Sequence, residues 1–198
     1  MSPVGVLALQ GGVSEHCAMT GSLGLDTIQI RTHEQLEGIS ALLLPGGEST
    51  TLISLMDRWG LTTPVRELGQ AGLPILGTCA GAVLLSSEVS EVEHACTQES
   101  LRLASVRSVR NRFGRQTRSF IRYLNIKGLD APFPGLFIRA PLLEPLSDKV
   151  EILAELSEGP VLLRQGNLWL SSFHPELTTD TSLHRLFFES IGILPGRI

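Results

Sequence analysis

Three times within its first eighty residues the chain runs through a short, unbroken apolar stretch that ends abruptly at small residues. "VGVLALQ" stops at Gly11-Gly12, "ALLLP" at Gly46-Gly47, and "PILG" at Thr78-Cys79. A strand with no polar alternation has both faces buried, and a parallel sheet covered by helices on each side provides that environment. The intervening segments fit. Residues 14–23 and the stretch from Thr50, with Leu52, Leu55, Met56 and Trp59 at i, i+3, i+4 and i+7, read as amphipathic helices. "DTIQIR" (26–31) adds another strand. Thr63-Pro64 opens a further helix, with Pro at its first position, and "AGAVLLSS" reads as the helix after Cys79.

The second half is richer in strands: "RYLNIKG", "GLFIRAP", "KVEILAEL", "PVLLRQG" and "NLWLSSF". A last helix runs from Asp180 to Ile191, with Leu183, Leu186, Phe187 and Ile191 on one face. No repeat, low-complexity tract or linker divides the 198 residues. The expected fold is a single α/β domain over residues 1–198, a three-layer structure whose mixed, mainly parallel sheet carries helices on both faces.

In such sheets, chemistry collects where loops leave the carboxyl ends of strands. "GTCAGA" has the form Gly-x-Cys-x-Gly between a strand and a helix, the nucleophile-elbow arrangement with cysteine as the nucleophile. Its glycines let a cramped turn pass under the helix, and the amide of Ala80 is positioned to donate to an oxyanion. A buried cysteine in an ordinary turn fits the same motif. "SSFHPEL" supplies a candidate base, His174, with Glu176 two residues on and Pro175 between them. On an extended segment these two side chains share a side, so the carboxylate can fix the imidazole tautomer. His16, His33, His94 and His184 lack such a partner and read as ordinary structural histidines, His184 as a solvated one. "PGGEST" lacks the lysine and spacing of a phosphate loop. Gly47 can offer its N–H to an oxyanion, and Glu48 and Ser49 can touch a polar substrate; a plain turn with Ser49 as helix cap fits equally.

Between Arg102 and Lys127 lie seven arginines and one lysine without a single Asp or Glu. Because the whole chain carries a net charge of −4, this stretch reads as a solvated face or a surface for an acidic partner. Neither nucleic acid nor membrane is an expected partner. Within the stretch Arg110, and beyond it Arg139, can hold a substrate carboxylate in bidentate fashion. The three cysteines, 17, 79 and 96, form no CxxC pair, so neither a disulfide framework nor a metal site is expected, and a reducing cytoplasm suits a reactive thiol. The first residues show neither a basic leader nor a spanning helix.

Taken in order and spacing, "GVLALQGG…EH", "LLLPGGESTT", "ILGTCAGA", "VRNRFGRQ", "FIRAP" and "SFHPELTTD…LH" resemble the glutaminase subunits of pyridoxal 5'-phosphate synthase, within the class I (triad) glutamine amidotransferases. The resemblance spans about Val4 to Phe188 and implies the flavodoxin-like fold of that class. It implies Cys79 as nucleophile, His174 as acid and base, and Glu176 as its orienting carboxylate. Gly47, Glu48, Ser49, Arg110 and the Ile138-Arg139 pair would contact L-glutamine, with Gly47 and Ala80 forming the oxyanion hole. No cofactor is implied. The implied partner is a (β/α)₈-barrel synthase subunit in a large hetero-oligomer, which would receive the ammonia. "TRSFI" departs from the family's usual run after "FGRQ" at Arg118 and Ile121, and "GGVSEH" departs near the start. Three readings remain beside this one: a triad glutaminase serving the imidazole glycerol phosphate or GMP pathway, a cysteine peptidase, and a non-enzymatic binding module on the same fold.

Overall fold

The structure, a computed structural model, describes residues 2–91, 98–110 and 119–196. The three apolar runs form adjacent parallel strands at its centre: β1 (Val4–Leu7), β3 (Ala41–Leu44) and β4 (Ile75–Thr78). β2 (Thr27–Ile30) flanks β1, and β12 (Leu168–Ser171) flanks β4, both parallel to their neighbours. Two antiparallel strands, β11 (Gly159–Gln165) and β10 (Glu151–Leu156), extend the far edge, giving the order β10-β11-β12-β4-β3-β1-β2.

Burial on both faces explains the lack of alternation. In β3, Leu42 and Leu44 pack with helices α2 (Ser49–Arg58), α3 (Thr62–Gln70) and α4 (Ala80–Leu85). Ala41 and Leu43 turn the other way, toward α5 (Ser182–Ser190) and the hairpin of β7 (Phe120–Leu124) and β8 (Phe133–Phe137). The helix α1 (Val13–Ser22) lies against β1 and β2. Each leucine of β3 is wholly excluded from solvent, worth about 2–3 kcal/mol apiece. The mixed, mainly parallel sheet with helices on both faces is therefore as expected.

Several local expectations give way. The helix after Cys79 ends at Leu85, and Ser86-Ser87 begin a strand instead, β5 (Ser86–Glu91). That strand pairs in parallel with β6 (Ala104–Arg110), which pairs with β9 (Leu142–Pro145) in a separate three-stranded sheet. Part of the arginine-rich stretch is thus a strand whose inward residues, Ala104, Val106 and Ser108, are small or apolar, while outward Arg107 pairs with Glu88 and Glu144. The helix expected to open at Thr63-Pro64 begins at Thr62, flanked by Leu61. His184 is not solvated: α5 turns it inward beside Leu183, Phe187 and Phe188, and it is wholly buried. His94, Cys96, Arg112, Arg115, Arg118 and most of "VRNRFGRQ" lie outside the described residues.

Candidate active site

Parallel pairing brings four strand ends to one edge, and the loops leaving them build a cavity of about 320 Å³. The β4–β12 ladder sets the core of it. Thr78 lies opposite Ser171, and the next amide, that of Cys79, donates to the Ser171 carbonyl at 2.7 Å. Three residues past Ser171, the amide of His174 donates to the carbonyl of Leu136 on β8 at 2.9 Å, pinning the loop to the hairpin.

Cys79 takes φ 48° and ψ −102°, a conformation that a residue with a Cβ adopts at a cost of about 1–3 kcal/mol. The elbow keeps it there because α4 passes so close to β3 that a Cβ at Gly81 would collide with the Leu44 carbonyl. Cys79 lines the cavity at 7% exposure, with the Ile138 carbonyl 3.8 Å from its sulfur. Gly46 gives the His174 ring its space, since a Cβ there would overlap the imidazole.

His174 Nδ1 lies 2.8 Å from Glu176 Oε1. The link is not the extended segment expected from the sequence. Pro175–Leu177 close a short 3₁₀ turn, and that turn folds the carboxylate back onto the ring. Burial would lower the imidazole, but its contacts with Cys79 and Glu176 outweigh that and raise it to about 10. Burial would likewise raise Glu176; His16 and His174 beside it hold its carboxyl down at about 2. The pair is therefore a buried ion pair at neutral pH.

All ten residues singled out from the sequence line this one cavity: Cys79, Ala80, His174, Glu176, Gly47, Glu48, Ser49, Arg110, Ile138 and Arg139. Glu48, rather than Ser49, caps α2, its carboxylate accepting from the Thr50 amide at 3.4 Å. Arg110 reaches across with Nη2 3.2 Å from Glu48 and Nη1 3.2 Å from Glu91. Gln98 accepts from both Arg110 and Ser49, at 2.9 and 3.0 Å. Arg139 sits at φ 45° on the rim. Among the described residues no His, Cys, Asp and Glu side chains group to hold a metal, and no helix is long and apolar enough to cross a membrane.

Sequence reasoning missed what lies behind Glu176. His16 on α1 and His184 on α5, far apart in the chain, meet there with Nδ1 of the first 3.2 Å from Nε2 of the second. The signal was helical spacing: His16 shares the buried face of α1 with Met19 and Thr20.

A thiol on an elbow turn, with an imidazole–carboxylate pair at the end of the neighbouring strand of a doubly wound sheet, is the arrangement of the cysteine-nucleophile enzymes, a class that includes the triad amidotransferases. More narrowly, the chain belongs to the SNO glutamine amidotransferase family, whose model matches residues 6–192. It is 48% identical over 194 residues to the pyridoxal 5'-phosphate synthase subunit PdxT of Thermococcus gammatolerans, covering 94% of this chain and 98% of the relative. The PdxT subunit of Dehalococcoides mccartyi is 45% identical over 188 residues, 94% and 95% of the two chains. A crystal structure of a glutamine amidotransferase superimposes with a TM-score of 0.88 at 46% identity, covering 96% of this chain and 98% of that one. A PurLQS structure from Thermotoga maritima, at 15% identity and a TM-score of 0.61 over 96% of this chain and 98% of that one, shares the fold alone.

Proposed function

We propose that this chain is the glutaminase subunit of a pyridoxal 5'-phosphate synthase, releasing ammonia from L-glutamine for a barrel-shaped synthase partner in a cytoplasmic hetero-oligomer. The observation that carries the reading is the Cys79–His174–Glu176 arrangement at the floor of the cavity, in a chain 42–48% identical to PdxT subunits.

The chemistry follows from the geometry. The Cys79 sulfur attacks the side-chain amide carbon of glutamine, and the amides of Ala80 and Gly47 receive the oxyanion, each worth about 3 kcal/mol in the transition state. His174, which keeps a proton at neutral pH, gives it to the departing ammonia and leaves a γ-glutamyl thioester. The same ring then takes a proton from water, whose attack breaks the thioester, releases glutamate and returns the sulfur, without a proton, beside the protonated ring. Glu176 holds the ring in the tautomer that turns Nε2 toward the sulfur. At the cavity mouth, Arg110 and Arg139 would take the α-carboxylate of glutamine, and Glu48 its ammonium. Ser49 and the Ile138 carbonyl would hold the side-chain amide in line.

Glutamate release is measured with and without the cognate synthase subunit. Hydrolysis that rises on adding that subunit, together with co-purification of the two chains, is expected. Partnership with a different synthase, or an absence of hydrolysis under both conditions, would sink the reading.

A further inference from the structure

The carboxylate of Glu176 has two oxygens, and the triad uses one. Oε1 faces His174 Nδ1 at 2.8 Å, while Oε2, fully buried, has no hydrogen-bond partner within the usual limit among the described residues. A buried carboxylate oxygen left without a donor is costly, and a carboxylate held by one oxygen alone is free to turn. His16 Nε2 lies 3.6 Å from Oε2 and 3.2 Å from the hydroxyl of Thr78, which itself donates toward Oε1 at 3.5 Å. Facing two oxygens, one of them charged, Nε2 must carry the ring's proton. Nδ1 is then a bare lone pair needing a donor, and His184 Nε2, 3.2 Å away, is placed to supply one.

We propose that His16, locked in its Nε2–H tautomer by His184, is a positioning residue that holds Glu176 in line with His174. This rests on the triad reading above. The hydrogen bonds then run in one direction, from His184 through His16 and the Thr78 hydroxyl to Glu176 Oε1, where they meet the Nδ1–H of His174, while the His16 Nε2–H also faces Oε2 from 3.6 Å. His184 Nδ1 is the unpartnered end of the string among the described residues.

Both rings are wholly excluded from solvent and stand edge to face, 5.3 Å between centroids and 62° between planes. Burial lowers both imidazoles, His184 to about 3, so each is neutral and each has one proton to place. The charged or titratable groups that bear on His16 are Glu176 and His174 across the turn, His184 from α5 and Glu15 on its own helix. The strands beside α1, with sequences VGVL and TIQI, contribute none.

Two measurements test the assignment. Ring ¹⁵N–¹H correlation spectra of the intact chain should show His16 and His184 neutral and protonated on Nε2 at neutral pH. A His16 protonated on Nδ1, or charged, overturns the proposal. In the assembled synthase, His16→Leu is expected to lower kcat for glutamine hydrolysis by about 10–100-fold, below the full worth of acid–base catalysis, with KM within about twofold. His16→Gln, which restores a donor near the Nε2 position, should recover kcat to within about threefold of the parent. Equal rates for the two variants, or an unchanged kcat for the leucine variant, overturn it. If His16→Leu does not fold, His184→Leu keeps His16 in place but removes its donor, and a kcat unchanged there counts equally against the proposal. Cys79→Ala run in parallel separates the two ideas: if it still hydrolyses glutamine, the triad itself is wrong, whereas an inert Cys79→Ala beside normal His16 variants condemns this inference alone.

Discussion

The two ends of the triad are built from different materials. At the Cys79 end the backbone does the positioning: a strained φ of 48°, a Gly81 that no larger residue can replace, and a cysteine that lines the cavity. At the Glu176 end the backbone is an ordinary 3₁₀ turn, and buried side chains surround the carboxylate: Thr78 from β4, His16 from α1 and, one step further, His184 from α5. A nucleophile has to face the substrate, so its support is confined to the chain beneath it. The Glu176 side chain is wholly buried, so residues from several elements can approach it. The lesson is that the reactive end of the site is encoded locally and the supporting end globally.

The largest expected effect breaks the first end outright. Cys79→Ala should reduce glutamate release by more than about 10³-fold while leaving the thermal transition and partner binding in place, since the elbow does not depend on the sulfur. Glu176→Gln strikes the second end. It keeps the shape but removes the charge that fixes the His174 tautomer, and a loss of about 10²–10⁴-fold in kcat is expected. Steady-state glutamate assays with the synthase subunit check both, and a Glu176→Gln enzyme as fast as the parent would mean that the carboxylate orients nothing.

The same contrast explains what was legible in the sequence. The parallel sheet was legible because β1, β3 and all of β4 but its last residue, Thr78, carry only apolar residues or glycine, a pattern produced by burial on both faces. The elbow was legible because its geometry demands glycines at fixed offsets from Cys79. His174 and Glu176 were close enough in the chain to be read together, although the turn that joins them was mistaken for an extended segment. β5 and β6 were missed because serines, valines, glutamates and arginines alternate in them in a way that makes sense only once the partner strands are known, and β9 because it is only the four residues Leu-Leu-Glu-Pro. His16 and His184 were dismissed because neither has a glutamate two residues on as His174 has, and their partner arrives only through tertiary packing. Each helix did carry a clue, a histidine spaced with its core-facing residues.

Protons offer a way to sharpen the comparison through stability. His184, at about 3 in the fold, takes up a proton near 6.5 once unfolded, and His16 is shifted in the same direction. In that window the unfolded chain binds more protons, so unfolding free energy should fall steadily as the pH drops from 6.5 toward 3. Glu176 acts lower: its contribution is present above its ordinary 4.5 and is lost as pH falls toward about 2. His174 acts oppositely, since a folded value near 10 gives stability that is full below 6.5 and is lost as the pH rises through about 10. Urea titrations across pH are expected to show both limbs, with His184→Leu flattening the acid limb above pH 3 and leaving the alkaline one. A variant whose acid limb matches the parent's would show that the buried imidazole is not what the fold protects.

The smallest effect concerns the elbow's strain. At φ 48° and ψ −102° any residue with a Cβ is held in a costly conformation, whereas glycine has no Cβ to clash. Cys79→Gly should therefore be more stable than Cys79→Ala by about 1 kcal/mol, after allowing for the greater chain entropy that glycine loses on folding. Both variants lack the sulfur, so the difference isolates backbone from chemistry. Equal midpoints in chemical denaturation would mean that the elbow relaxes when its nucleophile is removed, and that the sulfur itself takes part in holding the turn. A glycine variant that is more stable yet inert would show that this position keeps a strained cysteine for reactivity, at the expense of the fold.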